Sequence, residues 1–304
     1  MQAVGALGVD TARLNTVFAA LPLPRETSVG RERDPQWRAT FGYDYWQIER
    51  TIAVGTPPGT WTRLEGRFDP AAIGAALAAA GHQPVAYGGA TILTRGGDAQ
   101  ILNLDQPFAR LTLAALNRVV LDTNSLTATP YTALAQAGID AEAGRTPSFA
   151  ADPEYAALVA ALGPVVGARL LSAEGFYRQT VPNPRATASA TRTADPNRPT
   201  LRPYRLVGLG LRDDGRTHAM VIGLLYASAA DANADAPLLR QRATDYVLLN
   251  NGQPLREHAV TGEPEIIPAG RGATVVLPLA IAREADLGLW ERMLAQRDYG
   301  FLAA

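Results

Sequence analysis

Between Thr56 and Arg95 the hydrophobic and polar positions change period twice, which predicts a strand–helix–strand module. From Trp61 to Phe68 the chain alternates, with Thr62, Leu64, Gly66 and Phe68 on one face and Trp61, Arg63, Glu65 and Arg67 on the other. A period of two is that of a half-buried strand. Pro57-Pro58-Gly59 precedes it as a loop, since proline lacks the N–H that a ladder needs. Asp69-Pro70 then supplies an N-cap and a pre-organised first helical residue. Ile73, Leu77 and Ala80 follow at helical spacing, and Gly81 ends the helix. Gly88-Gly89 turns the chain into a short strand, Ala90–Thr94.

The same reading extends along the chain. Thr11–Leu21 predicts a short helix, Asn117–Thr123 a buried strand, and Thr127–Gly138 a helix with Tyr131 and Leu134 inward and Gly138 as its stop. Asp152-Pro153 repeats the Asp-Pro helix start, and Tyr155, Leu158, Val159 and Leu162 form the apolar stripe up to Gly163. Ala168–Arg178 reads as a strand. Gln179–Pro203 is rich in Pro, Thr and Arg and has no period, so it reads as a linker or long loop. Tyr204–Leu211 and Thr217–Tyr226 predict a hairpin, Ala234–Thr244 a helix, and Tyr246–Asn250 with Leu255–Val260 a second hairpin about Asn251-Gly252. Ala273–Ala280 is an apolar strand, and Glu284–Arg297 a helix with Leu287, Trp290, Met293 and Leu294 on one face.

This order predicts an α+β fold of mostly antiparallel sheets with helices packed on one face. The expected parts are an N-terminal half at 1–178, a linker at 179–203 and a C-terminal half at 204–304. The similar element order of the halves suggests a structural duplication, although no sequence period carries it.

Composition narrows the function classes. With 304 residues, 47% of them hydrophobic, the chain can bury a substantial core. All 28 basic residues are arginine and the net charge is −1. That balance argues against nucleic acid or an anionic membrane surface as the main partner, and it removes any lysine nucleophile. The absence of cysteine excludes disulfides, thiol nucleophiles and thiolate-held metals. No apolar run approaches the roughly 20 residues of a membrane span. The first residues lack the charged n-region of a signal peptide.

Candidate chemistry is sparse. His82, His218 and His258 have no metal-ligand spacing, and no nucleophile elbow or phosphate-binding loop is present. Gly208-Leu209-Gly210 begins like a dinucleotide fingerprint, but Asp213 takes the third glycine position. Asp231, Asn233 and Asp235 match the first ligands of a calcium loop, yet Ala236 replaces its turn glycine and Arg242 its closing glutamate. An Asp cap before Pro237–Thr244 fits better. Asp69 reads as a cap before it reads as a catalyst. Binding surface remains. Tyr43, Tyr45 and Trp46 in the aromatic segment Phe41–Ile48, with Trp61, Arg63 and Arg67 on the polar strand face, are the candidate ligand- or partner-binding residues. Core packing and a solvated sheet face are the competing readings for these two groups. No catalytic residue, metal or cofactor is assigned.

Several segments together resemble a family: GTPPGTWTRLEGRFDPAAIGAALAAAG, the strand YGGATILT, LNRVVLDT, PSFAADPEYAALVAALG with Ser148, Asp152 and Pro153, and the C-terminal LWERMLAQRDYGFLAA. They are similar to uncharacterised extracytoplasmic proteins, often lipoproteins, of GC-rich bacteria. The resemblance implies a leader or lipidated anchor upstream and an address at the cell envelope, and it brings no catalytic residues. The expected function is a non-enzymatic extracytoplasmic domain that binds a protein or small ligand. The alternatives are an envelope hydrolase whose site assembles from distant His and carboxylate residues, and an accessory subunit of an envelope complex.

Overall fold

The computed structural model describes residues 35–43, 47–56, 58–180, 199–213, 217–249, 251–283, 286, 288–296 and 298–303. The expected helix at Thr11–Leu21 lies outside them. The chain divides into two compact units between Ser148 and Phe149, and each contains a six-stranded antiparallel sheet. The α+β class expected from the sequence is the class observed.

The first unit is built from three successive hairpins. Its elements are α1 (Pro35–Phe41), β1 (Ile48–Thr56), β2 (Gly59–Gly66), α2 (Pro70–Ala79), β3 (Gln83–Tyr87), β4 (Ala90–Thr94), α3 (Pro107–Thr112), β5 (Arg118–Asp122), β6 (Ser125–Thr129) and α4 (Thr132–Glu142). The sheet order is β1-β2-β6-β5-β4-β3. Helix α2 starts where Asp69 Oδ1 accepts the N–H groups of Ala71 and Ala72 at 3.0 and 3.1 Å. Its Ile73 and Leu77 pack with Leu64, Val119 and Leu126 of the sheet and with Trp37, Phe41 and Phe108. Each such side chain contributes about 1.5–3 kcal/mol on leaving water.

Helix α4 lies on the opposite face, where Ala135 and Ile139 pack on Ile92. The sheet is therefore covered more fully than by the one-sided layer expected. The helix expected over Thr127–Gly138 begins later. Ser125–Thr129 forms β6 between β2 and β5, because Leu126 and Ala128 belong to the core under α2. Tyr131 precedes the helix, the inward residues are Ala135 and Ile139 rather than Leu134, and Gly138 sits within it.

The second unit comprises α5 (Pro153–Leu162), β7 (Gly167–Ser172), α6 (Ala173–Thr180), β8 (Leu206–Asp213), β9 (His218–Tyr226), α7 (Ala229–Thr244), β10 (Ala259–Thr261), β11 (Glu265–Ala269), β12 (Gly272–Ile281) and α8 (Leu289–Gln296). Strands run in the order β7-β8-β9-β12, and β12 is flanked on its far side by β10 and β11 in turn. One face carries Val207, Leu209, Ile222, Leu224, Val275 and Leu277 beneath Leu239 of α7 and Trp290 of α8. The other face is covered by α5, whose Leu158 and Leu162 sit over Gly208 and Gly223. These two glycines are cross-strand partners. A Cβ on either would come within 2.9 Å of a leucine methyl. Gly208 thus serves helix–sheet packing, and the dinucleotide reading of this segment falls away.

The expected boundaries move accordingly. The first half ends at Ser148 rather than 178, since β7 pairs along its length with β8. Residues 181–198 of the expected linker lie outside the described chain. The strand expected over Ala168–Arg178 stops at Ser172, whose Oγ accepts the Gly175 N–H and starts α6. The hairpin about Asn251-Gly252 reduces to a single bridge, Val247 with Pro254. Pro254 has no N–H to extend it, and a 3₁₀ turn follows at Leu255–Glu257. Helix α7 starts earlier than expected because Ser228, not an aspartate, caps it, with Oγ accepting the Asp231 N–H. The two sheets share a class but not a strand order.

Candidate functional site

The candidate binding residues do not converge. Tyr43 is 2% exposed and packs with Trp37, Phe41 and Phe68 on the α2 side of the first sheet. Burial pushes its phenol well above the usual range. Tyr43 is a core residue here and presents no surface to a ligand. Tyr45 and Trp46 lie outside the described residues. Trp61 and Arg63 belong to the opposite face, where Trp61 is half-buried against Gly138 of α4. Arg63 pairs with Glu65 at 3.0 Å and with Glu142 of α4. Arg67 is exposed at the end of β2 and pairs with Glu49 at 3.3 Å. The polar strand face expected to bind a partner is largely engaged with α4 and with itself.

A polar knot centred on buried Arg118 ties β5 to the 96–100 loop and the start of α4. All five N–H groups of Arg118 are used. Its Nε donates to Thr132 Oγ1 at 2.7 Å, Nη1 donates to the carbonyls of Arg95 and Asn117, and Nη2 donates to Gly96 O and Asp98 Oδ1. Asp98 also accepts the N–H and O–H of Thr132. Burial raises the Asp98 pKa, but these hydrogen bonds and the Arg118 charge outweigh it and hold the carboxyl below its usual value. Arg95 lies over the Phe108 ring, 4.7 Å from its centroid. Asn117 binds the Gly97 and Gln100 carbonyls and closes the 96–100 loop. Sequence reading missed this knot, whose only local signal is Gly96-Gly97-Asp98 as a turn.

Two of the three histidines have both ring nitrogens engaged. His82 is 2% exposed and sets Nδ1 against Leu77 O at 3.0 Å and Nε2 against Leu116 O at 2.8 Å. His258 meets Asp286 Oδ1 through Nδ1 at 2.8 Å and Gln253 Oε1 through Nε2 at 2.9 Å. Arg283 Nε completes that group by donating to Asp286 Oδ2. Burial raises the Asp286 pKa, and the Arg283 and His258 hydrogen bonds overcome it and hold the carboxyl low. His218, at the start of β9, faces Asp213 across the hairpin at 3.4 Å. A hydrolytic site needs one imidazole nitrogen directed at a nucleophile. In His258 the second nitrogen is turned to an amide oxygen, so the His–Asp pair ties β10 to the chain after β12.

A shallow groove of about 510 Å³ lies in the second unit, between α7 and the chain leading into β11. Helical spacing brings Asn233, Pro237, Arg240 and Thr244 of α7 to one wall. Glu263, Pro264 and Ile266 form the other, and Arg240 spans to Glu263 at 2.8 Å. Asp231 and Asp235, the candidate calcium ligands, turn elsewhere. Buried Asp235 accepts the N–H and guanidinium of Arg202, and Asp231 lies 3.4 Å from the same arginine. Among the described residues no cluster of three metal-ligating side chains forms. No described helix is long and apolar enough to cross a membrane. Compared with protein-family models, curated proteins and solved structures, the chain matches none.

Proposed function

We propose that this chain is a non-enzymatic binding domain that acts at the cell envelope, with the α7–β11 groove as its ligand surface. The groove supports this reading because its walls mix apolar Pro237, Pro264 and Ile266 with the Arg240–Glu263 pair. That mixture suits recognition through contact area with a few orienting polar groups. The buried histidines favour it over hydrolysis, since His82 and His258 spend both ring nitrogens on internal partners. The envelope address rests on the sequence resemblance alone.

A phage-displayed random peptide library, selected on the protein and counter-selected on Ile266→Asp, tests the groove. Peptides whose affinity falls at least tenfold in Ile266→Asp and Arg240→Ala support it. Peptides indifferent to both substitutions refute it. Turnover of chromogenic ester, peptide or glycoside substrates that survives further purification would overturn the non-enzymatic reading.

A further inference from the structure

Among the described residues the two sheets have four edges, and these are not equally protected. An edge strand offers unpaired N–H and C=O groups to any other strand unless proline, charge or cover blocks it. In the first unit Arg95 N donates to Asn117 O, so odd residues of β4 turn to β5 and even residues turn to β3. With Gln83 paired to Thr94, Gln83, Val85 and Tyr87 bond to β4, and Pro84 faces the outer edge. In the second unit Gly262 N donates to Pro278 O, so even residues of β12 turn to the β10–β11 side. Pro268 is paired with Ala273 and therefore also faces outward. The outer registers of β3 and β11 each lose a donor to proline. Strand β7 has six residues and passes directly into α6.

Strand β1 differs. It is nine residues long, IERTIAVGT, with no proline, and the chain contains no lysine to guard it. Gly66 N donates to Asn124 O and Arg67 N to Gln47 O. Even residues of β2 thus turn to β6 and odd residues to β1. Since Ile52 pairs with Arg63 and Val54 with Trp61, Arg50, Ile52 and Val54 bond to β2. Among the described residues no strand pairs with the outer side of β1, where Thr51 and Ala53 turn their N–H and C=O groups. Ile52 beside them is 48% exposed.

We propose that β1 pairs with the β1 strand of a second copy of this chain, antiparallel about a two-fold axis through Ile52. This register is self-complementary. Thr51 stands opposite Ala53 of the other copy and Ala53 opposite Thr51, so the outward backbone groups of both meet as hydrogen-bonded pairs. Ile52 meets Ile52 at the non-hydrogen-bonded position, where side chains approach most closely. Arg50 stands opposite Val54 and Glu49 opposite Gly55, so no like charges face each other. The contact is isologous and closes at two copies, joining two six-stranded sheets into one of twelve. It does not depend on the α7–β11 groove.

The absence of native cysteine makes the register directly testable. Ile52→Cys places two thiols across a non-hydrogen-bonded pair with Cα atoms about 4.5 Å apart, within disulfide reach. It oxidises to a covalent dimer. Val54→Cys sets its thiols four residues apart, about 14 Å, and does not. By light scattering across a dilution series the unmodified protein is a concentration-dependent dimer. Ala53→Pro removes an outward donor without touching the β1–β2 ladder, and it shifts the species to monomer with an unchanged circular dichroism spectrum. A protein that stays monomeric at the highest concentration and leaves Ile52→Cys uncrosslinked overturns the proposal. So does a folded Ala53→Pro that remains dimeric, or equal crosslinking of the two cysteine variants. Slow amide exchange at Thr51 and Ala53 in a monomer would show that the chain covers its own edge. Should Ala53→Pro fail to fold, the cysteine pair decides alone.

Discussion

The indole of Trp61 occupies the space that a side chain at Gly138 would need: Trp61 Nε1 is the nearest atom to a Cβ built there. Strand β2 and helix α4 can meet closely on this face only while residue 138 is glycine. Gly138→Ala is expected to destabilise the first unit by up to about 2 kcal/mol. The close approach of Trp61 Nε1 to that Cβ puts the overpacking in the upper part of the usual range of about 1–3 kcal/mol, above the helix propensity of about 1 kcal/mol that alanine adds. Trp61→Phe, which shortens the ring, should recover part of the loss. Urea melts of the two single variants and the double variant measure the coupling, and additive effects would show that the contact is not the cause.

The Asp98–Arg118 pair should also respond to substitution. Asp98→Asn is expected to cost about 1–2 kcal/mol at neutral pH, kept to that scale because the Asp98 side chain is 44% exposed and partly screened. The folded-state pKa of Asp98 is lowered, so its ionised form contributes stability above the unfolded carboxylate value of about 3.9. That contribution disappears as pH falls through the folded value. The difference between the parent and Asp98→Asn should therefore shrink in acid. Chemical denaturation at neutral and acidic pH checks it, and a pH-independent difference would contradict the assignment.

His82 should resist protonation. Burial first, then the neighbouring charges of Arg95 and Arg118, lower its pKa against the two carbonyls that would favour the imidazolium. The unfolded chain takes up this proton near about pH 6.5. Folding is therefore favoured above that pH and loses stability as pH falls below it, until the folded value is reached. With three histidines in the chain, proton NMR can follow each ring. The His82 resonance is expected to titrate below 6.5, and a midpoint above it would mean that the carbonyl pair dominates.

The two Asp-Pro helix starts make a matched pair. Asp69→Ala and Asp152→Ala each remove a side chain that accepts two N–H groups at a helix start. Each should cost about 1 kcal/mol. The caps lie in separate compact units, so Asp69→Ala should perturb amide exchange around Ile73 and Leu77 and leave Leu158 unaffected. A loss of function without a loss of stability at Asp69 would revive a catalytic role.

Local signals were legible where a backbone device is written in adjacent residues. The Asp69-Pro70 and Asp152-Pro153 starts, the alternation from Trp61 and the apolar run Ala273–Ala280 all became the elements they predicted. Where several partners decide, local reading failed. Thr127–Thr129 falls within the helix expected from the sequence, yet with Ser125 and Leu126 it forms the strand that closes β2 onto β5. Gly138 looks like a helix stop because nothing near it in the chain names Trp61. The aromatic segment and the charged strand face are two separate candidate binding groups, and Tyr43 and Arg63 lie on opposite sides of a sheet.

Sequence alone determined the class of this protein, α+β with antiparallel sheets, because strand and helix periods and their caps act over a few residues. It also excluded thiol and lysine chemistry, because composition suffices for that. Only the tertiary structure decided what each polar group is for. Arg118, His82 and His258 acquire their partners from distant segments, and burial obliges each to be satisfied there. The open register of β1 and the α7–β11 groove are likewise products of pairing. Which backbone groups a strand leaves unbonded depends on the neighbour it takes, and no residue carries that information by itself.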